Sequence, residues 1–270
     1  MDLSQHSEFT LTLEVVPPAG NAGHDLIQKI QAVSHLNFHG FNVASNPVAN
    51  PRMSAMVFCR KLTEATGKPA VLHLTVRDQN RLGLQAEIWG AQALGIDTAM
   101  AVTGDPAPAT RPAPCDPVND LTVFELISLA RESGLTTGVV LDFRPEHNGL
   151  ESEVKRLEKK AAAGAQFIVT QPVYDRDTAE TLLRATAHIP LPKVLGILPL
   201  LSVRHARFLH HKVDGIAVPP DLMAAMEASN DPLATGVANA REILGLARQS
   251  YAGACLMPPF ERFDILNQIL

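Results

Sequence analysis

The chain has 270 residues, 46% of them hydrophobic and 19% charged, with a formal net charge of −5. This composition supports a large core and excludes a disordered chain; with no long basic run, it also argues against a general nucleic-acid binder. The length exceeds the roughly 150-residue prior for one domain, but α/β barrels run to about 250 residues as a single unit.

The N-terminal MDLSQHSEFT is polar and acidic and reads as neither a signal nor a transit peptide, so a cytoplasmic location is expected. No apolar run approaches the ~18 residues of a membrane helix. Cys59, Cys115 and Cys255 stand far apart with no paired spacing. They give no local zinc or iron–sulfur signature and fit a reducing compartment, so no metal site is expected.

Strand-like runs recur along the chain. The first four are FTLTLEVV (9–16), GFNVAS (40–45), AVLHLTV (70–76) and DTAMAVTG (97–104). TTGVVLD (136–142), QFIVTQ (166–171), KVLGILP (193–199) and GACLMP (253–258) follow. Most lack polar alternation, as expected of strands buried on both faces of a parallel sheet. Helical segments separate them: LIQKIQAVSHL, LQAEIWGAQALG, VFELISLARESG, VKRLEKKAAAGA and TAETLLRATAHI. In VKRLEKKAAAGA, Gly164 follows the last periodic residue as a stop. Eight strands alternating with helices predict a (β/α)8 TIM barrel, a single catalytic domain over residues 1–270. Two extra helices are expected between Pro219 and Tyr251, before the last strand. A doubly wound open sheet is the alternative, but it does not require eight repeats. The proline-rich Gly104–Pro117 stretch reads as a loop at the active site.

Barrel chemistry comes from the C-terminal ends of the strands. There the sequence places Glu14, Asn42, Ser45, His73, Thr75, Thr103, Asp105, Asp142, Arg144, Thr170 and Gln171. Each has a plain reading as well. Asp105 could start a turn, His73 could be a satisfied core histidine, and Gln171 could end a strand before Pro172. Glu14 is harder to dismiss, because an unpaired carboxylate among Leu11, Leu13, Val15 and Val16 would cost several kcal/mol. No lysine lies late in a strand, which disfavours a Schiff-base aldolase. His205, His210 and His211 lack HExxH spacing and read as a solvated helix face.

LEVVPP, HLTVRDQNRLGLQA, ALGIDTAMAVTGDP, VKRLEKKAAAGAQFIVTQPVYD and GILPLLSVRHARFL, taken in this order, resemble the methylenetetrahydrofolate reductase family. The TGDP and PRMSAM forms are similar to the branch associated with methyltransferases. The resemblance implies a flavin-dependent barrel that reduces 5,10-methylenetetrahydrofolate to 5-methyltetrahydrofolate, in one-carbon metabolism and methionine biosynthesis. It implies FAD, with FMN as an alternative, and NADH or NADPH as reductant. It implies Glu14 as general acid, its proton retained through apolar burial by its aliphatic neighbours. Asp105 would tune the flavin and the pterin, and Gln171 would bind substrate. His73, Thr103 and Lys160 fall on the cofactor side, and Arg262 on the substrate side. Many relatives carry arginine where Thr103 stands. Val140, Arg144 and Ala44 also depart from the family pattern, all on the cofactor side. A flavin-free nicotinamide–folate reductase therefore stays open. So does a folate-binding subunit that draws on a methyltransferase or electron-transfer partner. A homo-oligomer is compatible with each reading.

Overall fold

A computed structural model describes residues 8–105, 116–118, 120–143, 149–213 and 215–270. Eight parallel strands close into one barrel in sequence order: β1 (Thr10–Val15), β2 (Gly40–Val43), β3 (Ala70–Thr75), β4 (Thr98–Val102), β5 (Thr136–Leu141), β6 (Phe167–Pro172), β7 (Lys193–Ile197) and β8 (Gly253–Leu256). The barrel closes where Thr12 pairs with Cys255 across β1 and β8. The (β/α)8 expectation holds, and the open-sheet alternative is set aside by this closure.

The helices are α1 (His24–Ala32), α2 (Ala55–Thr66), α3 (Arg81–Ala93), α4 (Val123–Glu132), α5 (Gly149–Ala162), α6 (Arg176–Ala185), α7 (Val203–Lys212), α8 (Pro220–Ala228), α9 (Pro232–Ser250) and the terminal α10 (Leu266–Ile269). Helices α8 and α9 are the extra pair expected before the last strand. Side chains satisfy the starts of several helices. Thr122 and Glu125 form a reciprocal capping box on α4, and Asp175 caps α6. Gly164 adopts φ +110° just after α5, as the sequence predicts. Among the described residues no helix is long and apolar enough to cross a membrane.

Strand periodicity divides the core. Outward residues such as Leu11, Leu13, Val15, Phe41 and Leu72 pack beneath the helices. Inward residues Val71, Met100, Phe167, Val169, Val194 and Cys255 form a separate cluster that plugs the barrel. Size matching holds this plug together. Gly138 is the register partner of Phe167, and a β-carbon at Gly138 would lie 2.2 Å from the Phe167 ring. The ring therefore occupies the space that any other residue's side chain would fill.

Candidate active site

Above the plug, the C-terminal mouth opens into a cavity of about 540 Å³. Glu14, Asn42, Ser45, His73, Thr103, Asp105, Asp142, Lys160, Thr170 and Gln171 all line it. The positions named from the sequence therefore converge from six strands and one helix. Two described ones do not join them, and a third cannot be placed. Thr75 faces a second, smaller cavity, and Arg144 lies outside the described residues. Arg262 is not among the lining residues; it makes a two-pronged pair with the exposed Asp264, at 2.8 Å for each contact. Its expected substrate-side position gains no support from the cavity lining. Residues 106–115 of the proline-rich loop also lie outside the description.

Glu14 is the register partner of Asn42, one pleat above the fully buried Thr12. Protein closes around its carboxyl while its tip opens onto the cavity. Among the described residues no cation or hydrogen-bond donor pairs with it. Burial, with Asp105 adding repulsion, raises its pKa to about 7. The source of this dryness differs from the expectation. Leu13 and Val15 point outward because strand side chains alternate, and Val16 is exposed. Cross-strand inward neighbours enclose Glu14 instead, with Asn42, Cys255 and Met257 beside it in the lining. Asn42 donates to Thr12 Oγ1 at 2.6 Å and to Cys255 Sγ at 3.4 Å. Its own Oδ1 is buried without a partner. Burial also pushes the Cys255 thiol far up, so it stays protonated.

His73 lies in the wall shared by the two cavities. Burial lowers its pKa to about 4, so the ring is neutral near pH 7, and Nε2 has no partner. On the β5–α5 side, Lys160 reaches back from its helix and donates to the Val140 carbonyl at 2.6 Å. Burial, then repulsion from Arg156, lowers Lys160 to about 8 against the pull of Glu153 and Asp142. Gln171 donates to Asp142 Oδ1 at 3.2 Å, which orients both side chains at the rim.

Several residues of the site were not singled out in the sequence. Arg156, on α5, lines the cavity and donates to Thr103 Oγ1 at 3.3 Å. A guanidinium from another element thus stands beside Thr103. Arg77 and Asp78, just after β3, form a brace in which Arg77 is buried and Asp78 half-buried. Arg77 binds Asp78 through two nitrogens, at 2.6 and 2.8 Å. The same guanidinium donates to the carbonyls of Asp105 and Asn46. Asp105 in turn accepts the Val48 backbone N–H at 2.6 Å. This network holds a loop in which Asn46, Val48 and Ala49 have φ near +50°. A β-branched residue adopts that region only under constraint. The available sequence signal was the adjacent opposite charges at a strand end; only the fold reveals their reach. The solvated-face reading of α7 is correct for His210 and His211 but not for His205. His205 is buried, accepts the Leu201 N–H and meets the Phe260 ring edge-on.

Comparison with known proteins agrees with this fold. Over 186 residues the chain is 21% identical to a probable methylenetetrahydrofolate reductase (NADPH) of Caenorhabditis elegans. That match covers 64% of this chain and 27% of the relative, so the chain spans only about a quarter of the relative's length. Among solved structures, an uncharacterized protein from Clostridium thermocellum superposes with TM-score 0.68 at 16% identity. The match covers 98% of this chain and 94% of that one, and that protein is described as binding two copies of 5-methyl-5,6,7,8-tetrahydrofolic acid. A 2,3-dimethylmalate lyase of the PEP mutase/isocitrate lyase superfamily gives TM-score 0.56 at 12% identity, covering 98% and 78% of the two chains. At these identities both structures speak for the fold. The family model for methylenetetrahydrofolate reductase matches residues 1–253, and the chain belongs to that family.

Proposed function

We propose that this chain reduces 5,10-methylenetetrahydrofolate to 5-methyltetrahydrofolate with a bound flavin, and that Glu14 is the general acid. The observation that carries the reading is a carboxyl with no cationic partner, set in the cavity and holding its proton up to about pH 7. Family membership and the folate bound by the Clostridium thermocellum protein support the substrate class.

The residues fit a flavin. Lys160 and Arg156 bring positive charge to the β5–α5 side, where phosphates would need it. His73 offers a neutral ring wall with an unpartnered nitrogen. When bound, the flavin, as FAD or FMN, would carry reducing equivalents from NADH or NADPH to the folate. The chain's own part is to bind, orient and protonate. The folate's five-membered ring must open before its one-carbon unit can accept hydride. A proton passed from Glu14 to the departing ring nitrogen drives that opening. Asp105, its backbone held by Arg77, keeps a carboxylate near Glu14 and so disfavours early loss of the proton. Gln171 is set by Asp142 to hydrogen-bond the bound ring system.

The test separates the two half-reactions. Glu14→Gln should lose about 10²–10⁴-fold in folate reduction, the usual worth of general-acid help, while flavin reduction by nicotinamide continues. Equal loss in both would contradict the role. A second reading, direct hydride transfer without flavin, draws on Ala44, Thr103 and Val140 lining the cavity where family members carry other contacts. Turnover by flavin-free protein decides for it; a requirement for added flavin decides against it. Turnover that appears only with an added partner protein would point to the folate-binding subunit instead.

A further inference from the structure

Trp89 is the single tryptophan of the chain, and it stands 63% exposed on α3. Leu82 is 81% exposed on the same helix, and Ala86 and Ala93 are exposed too. Positions 82, 86, 89 and 93 are separated by four, three and four residues, so they run along one side of the helix at coiled-coil spacing. After Arg81 no charged residue of α3 is exposed; Glu87, its one further charge, is half-buried and borders the smaller cavity. The neighbouring helices differ. Helix α2 exposes Arg60, Lys61 and Glu64, and α4 exposes Glu125, Arg131 and Glu132. A single exposed leucine or tryptophan is ordinary on a protein surface, whereas a row of four on an uncharged helix face marks an interaction site.

The flanks of the row are already engaged. Gln85 donates to Ser133 Oγ at 3.4 Å and Gln92 to the Ser133 carbonyl, both at the end of α4. On the other flank Gly90 lies against Met56 of α2. The order of sizes and the placement of charge identify what fits the row itself. Large and small alternate along it: Leu, Ala, Trp, Ala. Set α3 antiparallel to its own copy, centred between Ala86 and Trp89. Leu82 then meets the partner's Ala93, and Trp89 meets the partner's Ala86, so each large side chain enters the space over an alanine. A parallel pairing would stack Leu82 on Leu82 and Trp89 on Trp89 and leave alanine facing alanine. The antiparallel arrangement also brings the exposed Arg81 to the carboxyl end of the partner's α3. Helix carbonyls carry partial negative charge there, and Asp97 is exposed just beyond. A two-fold axis makes every one of these contacts twice, as an isologous interface requires.

We infer that this face of α3 is the interface of a homodimer, two copies packed antiparallel through Leu82, Ala86, Trp89 and Ala93. The helix has 13 residues, about 20 Å of length. One such helix pair falls short of the roughly 800 Å² per partner of a stable complex, so the dimer forms and dissociates with concentration. No residue of α3 lines the main cavity, and the inference does not depend on the proposed reaction.

Sedimentation velocity and the fluorescence of Trp89 test it together, on the whole chain between about 1 μM and 1 mM. The chain should pass from monomer to dimer over this range, and the emission maximum should move to shorter wavelength in step. Leu82→Glu, Ala86→Glu and Trp89→Lys should each weaken association by about tenfold or more, with circular dichroism confirming the fold. The double variant Ala86→Glu/Trp89→Lys sets opposite charges across the antiparallel contact and should recover part of the association. A chain that stays monomeric throughout would overturn the inference and leave the face to a different protein. A dimer that forms without moving the Trp89 emission, or that persists unchanged in Leu82→Glu, would place the interface elsewhere and overturn it too. No recovery in the double variant would overturn the antiparallel arrangement.

Discussion

At the scale of single residues, the proposed chemistry turns on the environment of the Glu14 carboxyl. Four cavity groups, Glu14, His73, Lys160 and Cys255, titrate away from their usual values, and the first two show opposite pH dependences. Glu14 is raised to about 7 by burial, so its stabilising share is full below the unfolded value near 4.5 and is lost as pH rises through 7. His73 is lowered to about 4 by burial; its share is full above the unfolded value near 6.5 and is lost as pH falls through 4. Glu14→Gln should therefore raise the melting temperature at pH 8 and leave it nearly unchanged at pH 4. The gain at pH 8 has an upper bound of about 3 kcal/mol, the worth of the shift. Thermal unfolding across pH 4–8 checks this, and a stabilisation equal at both ends would contradict it. The same ionisation predicts that folate reduction declines as pH rises through about 7, while nicotinamide oxidation follows no such limb. Glu14 was legible in the sequence because a carboxylate in an apolar strand demands a reason. What keeps it dry was not legible. Its sequence neighbours face the helices, and its real neighbours lie one strand away, at Asn42 and beside Met257, a relation that only register can supply.

At the scale of elements, two devices hold the mouth in shape. The first is the Arg77 brace, which ties the ends of β2, β3 and β4 to the loop holding Val48. Removing one partner from a buried pair typically costs about 3–5 kcal/mol, because the other charge is stranded. Arg77→Met should destabilise the fold by that order and weaken ligand binding at the Asp105 side; chemical denaturation together with ligand titration reads both. Arg77→Lys should recover little, since a single ammonium cannot reproduce the two-pronged contact with Asp78. The second device is the fit of Phe167 over Gly138. Gly138→Ala alone should cost about 1–3 kcal/mol by overpacking. Combined with Phe167→Leu it should cost less than the two single changes together, as a double-mutant cycle would show. Strands, and most helices, were readable from apolar runs and stops such as Gly164. Helix α2 was not singled out, and the left-handed loop before it carries no glycine to announce its geometry. Its conformation is imposed by Asp105, 57 residues further on.

At the scale of the whole molecule, the order of elements was the most legible property. Eight buried runs with helices between them leave few closed arrangements, and a barrel brings every strand end to one rim. That rule placed Glu14, His73, Asp105 and Gln171 around one cavity, whereas Lys160, on a helix, was named only through the family resemblance. The cofactor side was the least legible, because Arg156 reaches Thr103 from a helix 53 residues away. If Arg156 substitutes for the arginine found in relatives, Arg156→Ala should weaken flavin binding roughly tenfold or more and leave the barrel folded. Equilibrium dialysis against FAD and FMN measures this directly, and unchanged retention of both would contradict it.

The account rests on a protonated carboxyl in the cavity, and infrared difference spectroscopy can observe it. The spectrum of the unmodified protein minus that of Glu14→Gln isolates the carboxylic C=O stretch of this one side chain. Titration should show the band intact at pH 5.5 and disappearing with a midpoint near pH 7. A side chain already ionised at pH 5.5, with no protonated band in the difference spectrum, would contradict the account.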